Sequence, residues 1–243
     1  GGLSAVPGAF GEVDDVVDLA TRSDGESVVA VGGYGYQLQV GTVTGDEPPE
    51  PIYDGVELTS PSWDRNDVIW AVNRPETGGE LVAMRPDGTE LEVRSEELED
   101  KDVANAAISP DGTKMALVAD GVAYLGVIVH DSENRERVSV ERLRRIGPEG
   151  EAIDVDWSDA EHVALLSGDE QDTDDDVPVE PEVYLVNTSG SENSSRGPVP
   201  GATSVAADAA EGIVVATEED LLLVHESRNR WVDVDEGSAP AFS

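Results

Sequence analysis

The stretch Ser109-Pro110-Asp111-Gly112-Thr113-Lys114-Met115-Ala116-Leu117-Val118 decides the fold. Pro110 presets φ, Asp111 accepts from nearby backbone N–H groups and Gly112 takes a positive φ, so its first half is a tight reversal. Its second half is a short apolar run of strand length. The same arrangement occurs four more times, at Asp24, Asp64, Asp159 and Asp208. The gaps between the five aspartates are 40, 47, 48 and 49 residues. Each is followed by an apolar run: Val28–Val31, Val68–Val72, Met115–Val118, Val163–Leu166 and Ile213–Val215. A period of this length in a chain of short strands marks a β-propeller, in which each repeat is one four-stranded blade. The five aspartates are therefore expected as turn residues between the first and second strands of their repeats.

Working outward, the sequence divides into repeats of four strands. The third repeat predicts strands at Val103–Ser109, Lys114–Ala119, Ala123–His130 and Arg137–Ile146. The last of these is ambiguous, since Val138 and Val140 alternate while Leu143 and Ile146 also suit a helix. The second repeat predicts Val56–Ser62, Val68–Asn73, Glu80–Arg85 and Glu90–Ser95. The first lacks a clear fourth strand, because Glu47-Pro48-Pro49-Glu50-Pro51 loses three ladder donors and reads as a loop. In the fourth repeat, Ile153-Asp154-Val155-Asp156-Trp157 alternates as a strand with one wetter face, and the last strand is expected near Gly197–Val199. The expected fold is all-β: one propeller domain over residues 1–243, built of four-stranded antiparallel blades. Five blades are visible, and a sixth is possible with further sequence. Ala5–Phe10 is a candidate outer strand to close the ring, since closure removes exposed edges.

Composition narrows the partners. The chain carries 53 Asp and Glu against 15 Lys and Arg, a net charge of −38. Such a field repels nucleic acid and anionic membrane surfaces, which bind mainly through Lys and Arg. A monomer with no direct membrane insertion is expected. With no cysteine, there are no disulfides, thiolate metal sites or cysteine nucleophile. No apolar stretch approaches a membrane span. The chain opens at Gly1-Gly2 without Met and reads as an excised piece, with any targeting segment expected upstream.

Residues able to carry chemistry are few. His130, His162 and His225 lie 32 and 63 residues apart, with no second His at metal-ligand spacing. There is no Gly-x-Ser-x-Gly elbow, and Gly32-Gly33-Tyr34-Gly35 lacks the Lys and helix of a phosphate loop. The run Asp169–Asp176 holds six carboxylates in eight positions without EF-hand spacing, and reads as a solvated insertion between strands. No catalytic residue, metal site or cofactor is expected. Trp63 and Trp157 sit at equivalent first-strand ends and read as wedges between blades. Tyr34 and Tyr36, in a Gly-rich turn, are candidate interface residues. Arg135, Arg137, Arg142, Arg144 and Arg145 fall within eleven residues, against the overall charge. They are expected to pair with the domain's own carboxylates. The alternative is a docking patch for an acidic partner, with Arg142, Arg144 and Arg145 as its candidate residues.

The wording of several repeats resembles a known family. Ala107–Val118 is similar to the TolB-like propeller repeat. Pro61-Ser62-Trp63-Asp64 with Ile69–Val72, and Leu143–Ile146 leading to Val155–Asp159, resemble the C-terminal propeller of the actinobacterial lipoprotein LpqB family, as does the ending Gly237–Phe242. The resemblance implies an upstream signal peptide, a lipidated cysteine and a GerMN-type domain. It also implies a place on the outer face of the cell membrane, beside the MtrA–MtrB two-component system and its sensor kinase. The family has no known catalytic residues to carry over. Its expected role is a non-enzymatic interaction domain that meets the kinase ectodomain. The rivals are a sensor binding a small molecule or cell-wall fragment at the propeller mouth and, less well supported, a propeller hydrolase or lactonase.

Overall fold

The computed structural model describes residues 16–33, 36–43, 48–168, 180–190, 193–208, 212–217, 221–226 and 230–236, with backbone alone for 221–226, 230 and 233–236. Among these residues there is no helix, and the strands fall in chain order into five groups of four. The first group is β1 (Asp18–Thr21), β2 (Ser27–Gly32), β3 (Gln37–Thr42) and β4 (Glu50–Asp54). The second is β5 (Thr59–Trp63), β6 (Ile69–Asn73), β7 (Glu80–Met84) and β8 (Glu90–Val93). The third is β9 (Val103–Ile108), β10 (Lys114–Ala119), β11 (Val122–His130) and β12 (Arg137–Arg145). The fourth is β13 (Glu151–Trp157), β14 (His162–Gly168), β15 (Glu182–Asn187) and β16 (Asn193–Pro198). The fifth is β17 (Ala202–Asp208), β18 (Gly212–Thr217), β19 (Leu221–Glu226) and β20 (Arg230–Glu236). Within each group, neighbours in sequence pair antiparallel.

The second strands are buried almost throughout, and the core explains why their sequences are continuously apolar. Successive side chains of a strand point to opposite faces. On β10, Met115, Leu117 and Ala119 pack into a cluster with Trp70, Val72 and Ala83 of the second group. Ala116 and Val118 pack the other way, with Trp157, Val163 and Leu165 of the fourth. Val29 and Val31 meet Ile69 and Ala71 between the first two groups, and Leu166 meets Val205 and Val215 between the last two. The second, third and fourth groups are thus each sandwiched by their neighbours, as blades of a propeller are.

Two expectations need correction, and a third element is a strand as expected but irregular. Pro51, read as part of a loop, lies inside β4 opposite Gln39. β4 is the outermost strand of its sheet, where a missing N–H breaks no ladder. The last strand of the fourth group starts earlier than expected, at Asn193. The ambiguous segment is strand β12, but it is irregular: Arg142 has φ +58°, and the pairing with β11 slips between Leu125 and Val127. β12 also pairs in parallel with β8, through Arg137–Glu92 and Val138–Val93, so the second and third groups share one eight-stranded sheet. Ala5–Phe10, Tyr34 and the acidic run Asp169–Asp176 lie outside the described residues.

Candidate functional site

The innermost strands β1, β5, β9, β13 and β17 line one central cavity of about 800 Å³. An innermost strand has one edge without a ladder, and its N–H and C=O groups need partners. Side chains of the adjacent group supply them. Asp154 accepts from its neighbour Val155 N at 2.8 Å and, across the gap, from Val205 N on β17 at 2.7 Å. Asp156 repeats this two residues on, with Trp157 N at 2.8 Å and Ala207 N at 2.7 Å. Asp18 does the same for Leu19 N and Ser60 N, both at 2.8 Å, between the first and second groups. Carbonyls are met by indoles: Trp63 Nε1 donates to Ala20 O at 3.3 Å and Trp157 Nε1 to Ala107 O at 3.0 Å. Each indole also carries a cation 5.9 Å from its centroid, Arg22 on Trp63 and Lys114 on Trp157. Both tryptophans therefore bridge from their own group to the preceding one.

Burial dominates these carboxyls. Desolvation raises Asp154 to about 8 and Asp156 to about 7, against a usual 3.8, although each accepts two amide protons. The charges of Asp156 and Asp18 push Asp154 further, and those of Asp18 and Asp208 push Asp156. Burial likewise raises Asp18 to about 6, against the two amide protons it accepts from Ser60 and Leu19. The cavity wall holds Thr59 Oγ1, Ser60 Oγ, Asn105 Oδ1 and Ser204 Oγ, all buried and without a hydrogen-bond partner in the protein. The alternation at Ile153–Trp157 was expected to mark a wetter face, but Asp154 is only 6 % exposed. The polar side faces the cavity and the next inner strand, not bulk solvent.

The repeat aspartates occupy the turns. Asp24 accepts from Glu26 N and Ser27 N, Asp111 from Thr113 N, and Asp159 from Glu161 N and His162 N. Asp208 closes β17 opposite Gly212. Asp64 is the most enclosed. Its side chain is fully buried and takes Asn66 N, Val68 N, Trp70 Nε1 at 3.1 Å and His130 Nε2 at 2.7 Å. His130 comes from β11, so the bond ties the second group to the third. His162 pairs with Asp159 of its own turn. Sequence spacing gives no sign of the Asp64–His130 contact, which spans 66 residues. Among the described residues no three His, Cys, Asp or Glu side chains are grouped to hold a metal ion.

On the outside, Tyr36 is 51 % exposed at the foot of β3. Of the clustered arginines, Arg137 pairs with Glu92 at 2.7 Å. Arg142, Arg144 and Arg145 are exposed on β12, and none has an ion pair among the described residues. The expected intramolecular pairing therefore fails for these three.

The family model for the lipoprotein LpqB beta-propeller domain matches residues 1–243. The chain belongs to this family. Lipoprotein LpqB of Streptomyces coelicolor is 28 % identical over 256 residues, covering 98 % of this chain and 40 % of the relative. Lipoprotein LpqB of Mycobacterium tuberculosis is 25 % identical over 266 residues, covering 99 % and 42 %. The LpqB propeller chain thus spans well under half the length of the curated relatives it matches. Among solved structures, TolB from Acinetobacter baumannii superposes with a TM-score of 0.65 at 14 % identity, over 93 % of this chain and 56 % of that one, a likeness of fold alone. No helix among the described residues of the LpqB propeller is long and apolar enough to cross a membrane.

Proposed function

We propose that this LpqB propeller is a non-enzymatic, extracytoplasmic interaction domain, held at the membrane through a lipid anchor elsewhere in the full-length lipoprotein. Its partner is the ectodomain of a sensor kinase of the MtrA–MtrB type. The arrangement of charge carries this reading. Three cavity carboxyls, Asp18, Asp154 and Asp156, are engaged in bridging inner strands, whereas Arg142, Arg144 and Arg145 of β12 have no ion pair among the described residues. Family membership and the lipoprotein relatives support the location. Titration of the purified chain with the kinase ectodomain, followed by calorimetry at low and high salt, tests it. Binding with a Kd at or below about 0.1 mM is expected, the upper end of weak specific complexes; silence at both salt concentrations removes the kinase as partner.

A second reading rests on the cavity. Four buried oxygens without partners and three carboxyls poised to exchange protons near neutrality suit a hydroxyl-rich ligand, such as a cell-wall saccharide fragment. Thermal shift with a panel of muropeptides decides it: stabilisation that Asn105→Ala abolishes supports a sensor, and no shift with any fragment ends it.

A further inference from the structure

We infer that the irregular part of β12 is a docking site for an acidic segment of a partner protein. Regular alternation along β12 would send Val138, Val140 and residue 142 to the same face. Val138 and Val140 are indeed buried in the core. At the next even position the strand bulges: Glu141 lies opposite Val127 and Arg144 opposite Leu125, so Arg142 and Leu143 share the place facing Gly126. Leu143 takes the inward place and packs on the same core cluster, while Arg142, at φ +58°, turns outward. Bulges re-aim side chains in this way, and a non-glycine residue at positive φ costs about 1 kcal/mol or more. Gly126 is what makes room: a Cβ there would lie 2.5 Å from Val140 Cγ1 and 2.9 Å from Leu143 Cδ2.

The strain yields an outward Arg142, followed by Arg144 and Arg145, which are exposed on opposite faces of the same strand. In a chain with 53 carboxylates, three arginines close in sequence without an ion pair among the described residues are informative, because each is a fork suited to a carboxylate. Nearby acids are committed elsewhere: Glu97 accepts from Leu143 N, Glu141 from Ser139 Oγ, and Glu92 holds Arg94 and Arg137. The Arg144 guanidinium reaches the turn at Gly190 in the fourth group, so the patch spans two groups. A flexible run of Asp or Glu presents a few carboxylates locally, at strand spacing of roughly 7 Å for alternate residues. An anionic bilayer instead presents a plane of charge to the whole surface, which a net charge of −38 repels.

The inference deepens the interaction reading and rests on it, but its test needs no kinase. The probe is a synthetic eight-residue glutamate peptide titrated into the full chain. Long-range repulsion is screened by salt while contact pairs persist, since the Debye length falls from about 10 Å at 0.1 M to about 3 Å at 1 M. Affinity is therefore expected to rise between 0.1 and 0.5 M salt, on the order of a few-fold, against the usual trend for ion pairs. R142Q/R144Q/R145Q is expected to weaken binding at least about tenfold, R142K several-fold because an ammonium is no fork, and R85Q not at all. Melting of each variant confirms folding. The site is overturned by equal affinity of the triple variant, by no peptide binding at any salt, or by arginine-dependent capture of phosphatidylglycerol vesicles instead of peptide. Peptide binding with a silent kinase ectodomain would overturn only the named partner, not the site.

Discussion

β12 and β13 follow one another in the chain and treat charge in opposite ways. β13, an innermost strand, carries Asp154 and Asp156, and each oxygen of both carboxyls has a backbone amide to accept from. β12, the last strand of its group, carries Arg142, Arg144 and Arg145 with no acidic partner among the described residues, one of them at positive φ. In the interior, an unmet polar group costs about 1–3 kcal/mol, so these buried carboxyls are kept where they complete a neighbour's hydrogen bonds, and burial favours their protonated form. At the surface, water solvates an unpaired guanidinium at little cost, so a row of them is free to await another molecule. The contrast separates groups that hold the blades together from groups available for recognition.

The comparison breaks most visibly at Asp64, the most enclosed carboxylate. Asp64→Ala strands two backbone amides, an indole and an imidazole, and is expected to cost about 3 kcal/mol or more in urea unfolding. An unchanged midpoint would show that turn aspartates do not tie the groups together. Gly126→Ala comes next. Its Cβ collides with Val140 and Leu143 side chains, so about 1–3 kcal/mol of overpacking is expected, together with weaker peptide binding as the bulge shifts.

Smaller, and opposite to the common behaviour of carboxylates, is the pH dependence of the cavity. Folded, Asp154 and Asp156 keep a proton up to about 8 and 7 and Asp18 up to about 6; unfolded, each loses it near 3.8. The folded chain binds more protons across that interval, so these groups make stability fall as pH rises from about 4 to about 8. Self-repulsion of the acidic surface adds a slope of the same sign. D154N/D156N should flatten the urea-midpoint profile in this window, and an unaltered slope would mean the cavity carboxyls titrate normally. Turn and surface carboxylates lowered by hydrogen bonds, such as Asp24 and Asp131, act in the other direction, and only below the ordinary range. The smallest effect is expected at the surface: R142Q/R144Q/R145Q should change stability by no more than about 0.5 kcal/mol, since it removes no ion pair.

The sequence by itself determined the repeat. The Ser-Pro-Asp-Gly turn and the apolar run after it are local, since turn chemistry and strand burial act within a few residues, and they repeat closely enough to place nearly every strand. The family was legible from the same words. What only the tertiary structure decided is which polar residues meet. Asp154 and Val205 are 51 residues apart, and their contact exists because two inner strands run side by side without a ladder. A period-two pattern cannot distinguish a face turned to solvent from one turned to a crowded central cavity. The outward turn of Arg142 likewise depends on Gly126, a residue on another strand, and on the core space that Leu143 takes in its place.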